Sequence, residues 1–285
     1  HDGIVMSRDG GTLAVYDNAK FSIYNYTNSA WTFVRTKTVT SGPYLVVLSH
    51  DGSRVAYRDG SLKVENALTG ASLGSISVAS LYTYAFKSNT TLALLQGTND
   101  IELYDYDGTT WILGETVTYS GTNSSTSLLW SGDGTRLAAG DSGSNRRVSF
   151  FEYDSTLAAW SSHSSFQDTA EPGFAQAFDI SNDGDAVVVG VSGDGTSSYR
   201  GAVRVYDYTS SWALRSTIAP PSETAAAGNV GYRNLGKGVS ISSDGTKIAY
   251  LGDQGTYSEI GGTTWTQVGS DIDGEAASDR SGYSV

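Results

Sequence analysis

The chain has 285 residues, a formal net charge of −12 and a pI near 4.5. An acidic chain repels phosphate backbones and anionic lipid, which argues against nucleic acid and membrane surfaces as partners. The lack of any cysteine excludes disulfides, thiol catalysis and cysteine-held zinc or iron–sulfur sites.

In chain order, the first strand is "GIVMS" (3–7), and the Asp-Gly turn that follows opens a second in "MSRDGGTLAVY" (6–16). The same turn recurs in "LSHDGSRVAYR" (48–58), "WSGDGTRLAAG" (130–140), "ISNDGDAVVVG" (180–190) and "ISSDGTKIAYL" (241–251), with a degenerate copy, "FKSNTTLALLQ" (86–96), between the second and third. The turn serines Ser7, Ser49, Ser88, Ser131, Ser181 and Ser242 lie 42, 39, 43, 50 and 61 residues apart. A strand rich in aromatic and β-branched residues follows most turns: "KFSIYNY" (20–26), "SLKVENA" (61–67), "DIELYDY" (100–106), "RVSFFEY" (147–153) and "AVRVYDY" (202–208). The sixth repeat has the weaker "TYSEI" (256–260). Trp31, Trp111, Trp160, Trp212 and Trp265 open a further short strand.

Each repeat thus reads as strand A, Asp-Gly turn, strand B, loop, strand C, tight turn and Trp-bearing strand D. Gly accepts the positive φ of the turn without a Cβ clash, and the Ser and Asp side chains can bond turn amides. Along "AVRVYDY", Val203, Val205 and Asp207 share one face and Arg204, Tyr206 and Tyr208 the other. No helical period of useful length appears. Four strands every 40–50 residues is the period of a propeller blade.

The expected fold is all-β: a β-propeller of four-stranded antiparallel blades, six repeats counted, six-bladed favoured over seven-bladed. It forms a single domain over 1–285, with repeats at about 1–43, 44–80, 81–125, 126–174, 175–235 and 236–281. Strand A is expected to be small and apolar on both faces, as in "GVSIS" and "AFDIS". The Trp and Tyr-x-Tyr residues are expected between blades rather than stacked on a ligand.

The order Ser-x-Asp-Gly, Gly-rich loop, Val-Arg-Val-Tyr-x-Tyr and Trp resembles the FG-GAP-like repeats of integrin α-chain-type propellers, in the version found in large secreted proteins of marine bacteria, algae and giant viruses. Residues 180–218 carry it best, and "WTQVGSDIDGEAASDRSGYSV" (265–285) looks like that family's passage between blades. The resemblance implies a propeller, an extracellular setting, and adhesive or scaffold roles. Integrin-type blades often carry Asp-x-Asp-x-Asp-Gly calcium loops. Asp271, Asp273 and Glu275, and the Ser192–Gly195 stretch, approach that pattern but lack its full set of spaced oxygens, so no cofactor is expected and calcium is a weak candidate.

Three sequons, at Asn25, Asn89 and Asn123, are glycosylation candidates if the chain is secreted. Gly140-Asp141-Ser142-Gly143 looks like a serine-protease nucleophile segment, but it sits in a B–C loop that the other repeats do not match. Of the histidines, His50 is expected exposed in its turn, His163 in or just after strand D, and His1 has no partner for a metal. The reading favoured is a non-catalytic extracellular structural or adhesive propeller that partners other subunits or copies of itself. A carbohydrate- or protein-binding propeller is the alternative, using Tyr199, Arg200, Tyr232 and Arg233 in the long loops 191–201 and 219–235. A propeller hydrolase or lyase is the third, and would need carboxylates from several blades.

The chain begins with His1 rather than Met, which implies an earlier start removed by processing or fragmenting. At its other end "GYSV" (282–285) matches "GKGV" (236–239), the opening of a further strand A. That strand is expected either to continue into another blade or to pair with the sheet edge of a neighbour.

Overall fold

The computed structural model describes residues 3–40, 45–97, 100–121, 125–171, 173–191, 202–218, 238–251, 257–261 and 265–268. The chain falls into two compact units, His1–Tyr119 and Ser120–Val285. In each, the described residues form three antiparallel four-stranded meanders, each strand pairing with the next in sequence.

In the first unit, the first sheet holds β1 (Gly3–Met6), β2 (Thr12–Tyr16), β3 (Lys20–Thr27) and β4 (Ala30–Thr38). The second holds β5 (Val46–Leu48), β6 (Arg54–Asp59), β7 (Ser61–Asn66) and β8 (Ser72–Ile76). The third holds β9 (Leu81–Phe86), β10 (Thr91–Gln96), β11 (Asp100–Tyr106) and β12 (Trp111–Thr118).

In the second unit, the fourth sheet holds β13 (Ser125–Trp130), β14 (Arg136–Asp141), β15 (Arg147–Asp154) and β16 (Ala159–Gln167). The fifth holds β17 (Phe174–Ile180), β18 (Ala186–Val191), β19 (Ala202–Tyr208) and β20 (Trp212–Ile218). The sixth holds β21 (Val239–Ile241), β22 (Lys247–Leu251), β23 (Tyr257–Gly261) and β24 (Thr266–Val268).

The Ser-x-Asp-Gly signal builds one turn five times. Ser7 Oγ accepts from Thr12 N at 2.8 Å and donates to Asp9 Oδ1 at 2.6 Å, while Asp9 Oδ1 accepts from Gly11 N at 2.9 Å. The same three bonds recur around Ser49 and Asp51, Ser131 and Asp133, Ser181 and Asp183, and Ser242 and Asp244. The turn glycine supplies the left-handed residue, φ 71° at Gly10 and 65° at Gly52. The Ser and Asp side chains therefore satisfy backbone amides that five-residue connections would otherwise leave to water.

In the fourth and fifth sheets the strand buried along its whole length is the second, not the first. All six residues of β14 ("RLAAGD") and of β18 ("AVVVGV") are buried. The reason is position: β18 is flanked within its sheet on both edges and meets the fourth sheet on one face and the sixth on the other, which leaves no side in water. The first strand alternates instead, as in β1.

Sheets stack through small clusters. Ala14, Phe21 and Ile23 of the first sheet meet Val46, Leu48, Val55 and Tyr57 of the second. Ala56, Leu62 and Val64 meet Phe86, Leu92 and Trp111 of the third. In the second unit, Ala138, Val148 and Phe150 meet Phe178, Ile180, Val187 and Val189, and Val188, Val203 and Val205 meet Val239, Ile241 and Ile248. Val203 and Val205 thus face one neighbour, while Tyr206 of the same strand packs on the other cluster.

Candidate functional site: an exposed apolar face of the first sheet

One rule governs three of the four described seams within the units, and in the third sheet, where the turn is degenerate, Phe86, Tyr84, Leu92 and Leu94 take the same part. The incoming sheet presents the residues one and three before its turn serine and six and eight after it. In the second sheet these are Leu48, Val46, Val55 and Tyr57, between 0 % and 8 % exposed. In the fifth they are Ile180, Phe178, Val187 and Val189, at most 4 % exposed. The sheet before it presents the residue seven after its serine, which is Ala14, Ala56, Ala138 or Val188, together with two residues of its third strand.

The turns interlock along the same seams. Asp9 N donates to His50 O at 3.2 Å, Asp133 N to Asn182 O at 2.9 Å and Asn182 N to Ser243 O at 2.9 Å. The turn glycine of the incoming sheet lies against the preceding sheet. A Cβ on Gly52 would sit 2.5 Å from Thr12 Cβ, one on Gly184 3.1 Å from Arg136 Cβ, and one on Gly245 2.9 Å from Ala186 Cβ.

Three of the four described seams are also closed by a cation over aromatic rings. The Arg54 guanidinium lies 4.6 Å from the Tyr106 ring and 5.9 Å from Trp111. Arg136 lies 4.6 Å from Tyr208 and 5.8 Å from Trp212, and Arg215 lies 4.8 Å from Trp265. The indole N–H of the incoming Trp reaches back across the seam. Trp111 Nε1 donates to Leu73 O at 3.1 Å, Trp212 Nε1 to Ser164 Oγ at 3.0 Å, and Trp265 Nε1 to Ser216 Oγ. Sequence reasoning placed the aromatics between sheets and the structure agrees. It missed the cation, whose signal in two of these seams was the Arg five residues after the turn serine, Arg54 and Arg136, while Arg215 comes from a fourth strand.

On the incoming face of the first sheet the corresponding residues are exposed. Met6, Ile4 and Val15 stand where Leu48, Val46 and Tyr57 stand one sheet later, and they are 56 %, 51 % and 37 % exposed. Trp31 is 41 % exposed, against 6 % for Trp111. Its ring leans on Tyr26 at 5.2 Å, but among the described residues its N–H has no acceptor. A Cβ on Gly10 would meet nothing within 4 Å. Register carries this face across all four strands, since Met6 pairs with Leu13, Leu13 with Tyr24, and Tyr24 with Phe33.

The residues nominated from sequence fall as follows. Asn25 is half-buried and its Nδ2 donates to Gly11 O at 2.9 Å; Asn89 is half-buried and its Nδ2 donates to Asp51 Oδ2. Each amide has a second N–H, so these bonds leave a position for a glycan. Asn123, Tyr199, Arg200, Tyr232, Arg233, Asp271, Asp273, Glu275, His1, the Ser192–Gly195 stretch and the segment 279–285 lie outside the described residues.

Asp141 of the protease-like segment is fully buried, and its carboxylate accepts from Gly143 N and Asn145 Nδ2, both at 3.0 Å, which makes it a turn residue. His50 is half-buried rather than exposed, because its turn is pressed against the neighbouring one. That burial, with Arg8 nearby, lowers its pKa. His163 lies in β16, with Nε2 2.7 Å from Tyr208 Oη and Nδ1 3.3 Å from Glu152. Among the described residues no group of three or more His, Asp or Glu side chains could hold a metal ion.

No protein-family model matches the chain, and no curated protein matches it. Solved structures do. The β-propeller domain of Cps50 (Swd1) from Myceliophteria thermophila superposes with a TM-score of 0.69 at 10 % identity, over 96 % of this chain and 87 % of that one. A functionally unknown protein from Desulfotomaculum acetoxidans gives 0.66 at 12 % identity, over 94 % and 84 %. Kluyveromyces lactis Hsv2 gives 0.63 at 14 % identity, over 92 % and 75 %. At such identities the likeness shows the fold alone: the chain has the β-propeller fold, built of four-stranded antiparallel blades.

Proposed function

We propose that this propeller is a non-catalytic protein-binding scaffold, a module or subunit of a larger extracellular assembly, and that the incoming face of its first sheet is a docking surface. The observation that carries the reading is the exposure of Ile4, Met6, Val15 and Trp31 at positions whose counterparts elsewhere in the chain are buried against another sheet. Three aliphatic side chains and an indole in one patch have a strong drive to leave water, about 1.5–3 kcal/mol for each large side chain fully covered. The extracellular setting and glycosylation rest on the sequons and on the FG-GAP-like resemblance. The blade count is part of the same reading: six repeats favour a ring of six over seven, and closure of that ring is the arrangement that competes with docking.

The test is the state of the native material. In it the chain is expected within a particle heavier than its 30.1 kDa, with the β1 and β2 amides protected from exchange, and Met6→Asp is expected to release it. Native material running as a single chain, unchanged by Met6→Asp, overturns the reading.

A further inference from the structure

We propose that Tyr208 is an activated nucleophile that takes the acyl group of activated esters, with His163 as its base and Glu152 as the group that orients the base. The three side chains meet within the second unit, at the seam between the fourth and fifth sheets. The inference is independent of the docking reading above.

Four sheets repeat a Tyr near the end of the third strand, paired with the Trp of the fourth: Tyr26 with Trp31, Tyr106 with Trp111, Tyr153 with Trp160 and Tyr208 with Trp212. Among the described residues only Tyr208 has a histidine on its hydroxyl, with His163 Nε2 2.7 Å from Oη. Tyr106 Oη donates to Gly108 O instead. The cause is a β-bulge in the fourth sheet. Phe150 pairs with Ser164 and Phe151 with Ser162, which leaves His163 without a partner in the register. A bulge re-aims the side chain of its extra residue, and this one carries the imidazole across to the fifth sheet. The equivalent bulges of the first, third and fifth sheets hold Val34, Gly114 and Arg215, none of which can serve as a base.

Glu152 fixes the direction of the proton. Its Oε2 lies 3.3 Å from His163 Nδ1, while its Oε1 accepts from Arg136 Nε at 2.6 Å. A carboxylate only accepts, so it favours the imidazole tautomer with the proton on Nδ1. Nε2 is then a bare acceptor, and Tyr208 Oη donates to it. A hydroxyl, its base and an acidic orienter in this order are the parts of an activated nucleophile. The Arg136 guanidinium, 4.6 Å from the Tyr208 ring, attracts the negative charge that develops on the phenol as its proton leaves. The side chains of His163 and Glu152 are 30 % and 32 % exposed, so a small ester can reach the relay. In the step, Tyr208 Oη bonds to the acyl carbon as its proton passes to His163 Nε2. The bond from that carbon to the leaving oxygen breaks, and His163 returns the proton to the departing alcohol or phenol. The product is an acyl ester on Tyr208, formed once per chain without any change of oxidation state.

The chain has no cysteine to compete for the acyl group. The test is to treat the protein with p-nitrophenyl acetate, quench it with acid at early times and locate the acetyl groups by peptide mass spectrometry. Tyr26 and Tyr153, 47 % and 51 % exposed, are internal references at the equivalent position. Tyr208 is expected to gain acetyl on the order of a hundredfold faster than either. His163→Gln is expected to bring Tyr208 down to their rate while the two references keep theirs, which separates loss of the base from loss of the fold. With three histidines in the chain, nitrogen chemical shifts read the tautomer directly. His163 is expected to carry its proton on Nδ1. Glu152→Gln is expected to mix in the Nε2–H form and to slow the labelling of Tyr208 alone. The inference is overturned if Tyr208 is labelled no faster than Tyr26 and Tyr153, if His163→Gln leaves its rate unchanged, or if His163 carries its proton on Nε2.

Discussion

The guanidinium of Arg136 lies 4.6 Å from the ring of Tyr208, one residue on the fourth sheet and the other on the fifth. Its charge is shared with Asp185, 2.9 Å away, and with Glu152, while its Nη1 donates to Gly184 O. The side chain is only 9 % exposed, so the cation is held by rings and oxygens instead of water. Arg136→Ala is expected to lower stability by about 3 kcal/mol, through the lost stacking and the packing of the stem. Arg136→Lys keeps the charge but not the planar fork and should recover about half of that. Urea unfolding followed by tryptophan fluorescence reads both.

Two glycines in the same turn position should respond differently. At Gly52 a new methyl runs into Thr12, so Gly52→Ala combines a left-handed backbone with a steric clash. It is expected to cost about 3 kcal/mol. Gly10→Ala has the same backbone penalty and open space, and should cost about 1 kcal/mol in the isolated chain. Thermal midpoints of the two variants, measured in dilute solution, test the contrast.

The turn carboxylates make stability depend on acid. Hydrogen bonds from the Ser242 and Thr246 hydroxyls hold Asp244 down to about 2. At Asp51 and Asp133 burial pushes the pKa up, but donors from Ser53 and Ser49, and from Thr135 and Ser131, outweigh it and leave both lowered. A folded pKa below the unfolded value near 3.8 means stability that is complete above about pH 5 and lost as pH falls through 4 towards 2. The thermal midpoint should be flat from pH 5 to 7 and decline below 4. Replacing Asp244 by Asn should shrink that decline.

Between the first and second sheets, Glu65 is buried and gathers Tyr57, Lys37 and Arg35. Tyr57 Oη donates to it at 2.6 Å, and the two cations lie 3.0 and 3.1 Å away. Burial opposes its charge, yet the Tyr57 hydroxyl and the cations outweigh burial and lower its pKa. Tyr57→Phe should cost about 2 kcal/mol, the value of a hydrogen bond to a charged group. Glu65→Leu should cost more, about 3–5 kcal/mol, because it strands Arg35 in the seam. Chemical denaturation of the two variants separates the cases.

The blade was legible in the sequence because its determinants are local. The Ser-x-Asp-Gly turn is closed by atoms within five residues of one another, and the period-2 alternation of "AVRVYDY" already separates Val203 and Val205 from Tyr206. Four strands per repeat, antiparallel order and the seam role of Trp111 and Trp212 follow from that spacing. Which strand is dry on both faces did not follow. An apolar run looks the same whether one or two sheets cover it, and the stacking of the fourth and sixth sheets on the fifth made it β18 rather than β17. The cation over each Tyr–Trp pair was hidden for the same reason, since Arg136 and Tyr208 are 72 positions apart in the chain. Nor does Met6 differ from Leu48 in the sequence: both precede a turn serine, both are apolar, both alternate correctly. One is 56 % exposed and the other 8 %, because burial depends on what lies opposite, and only the tertiary structure shows that.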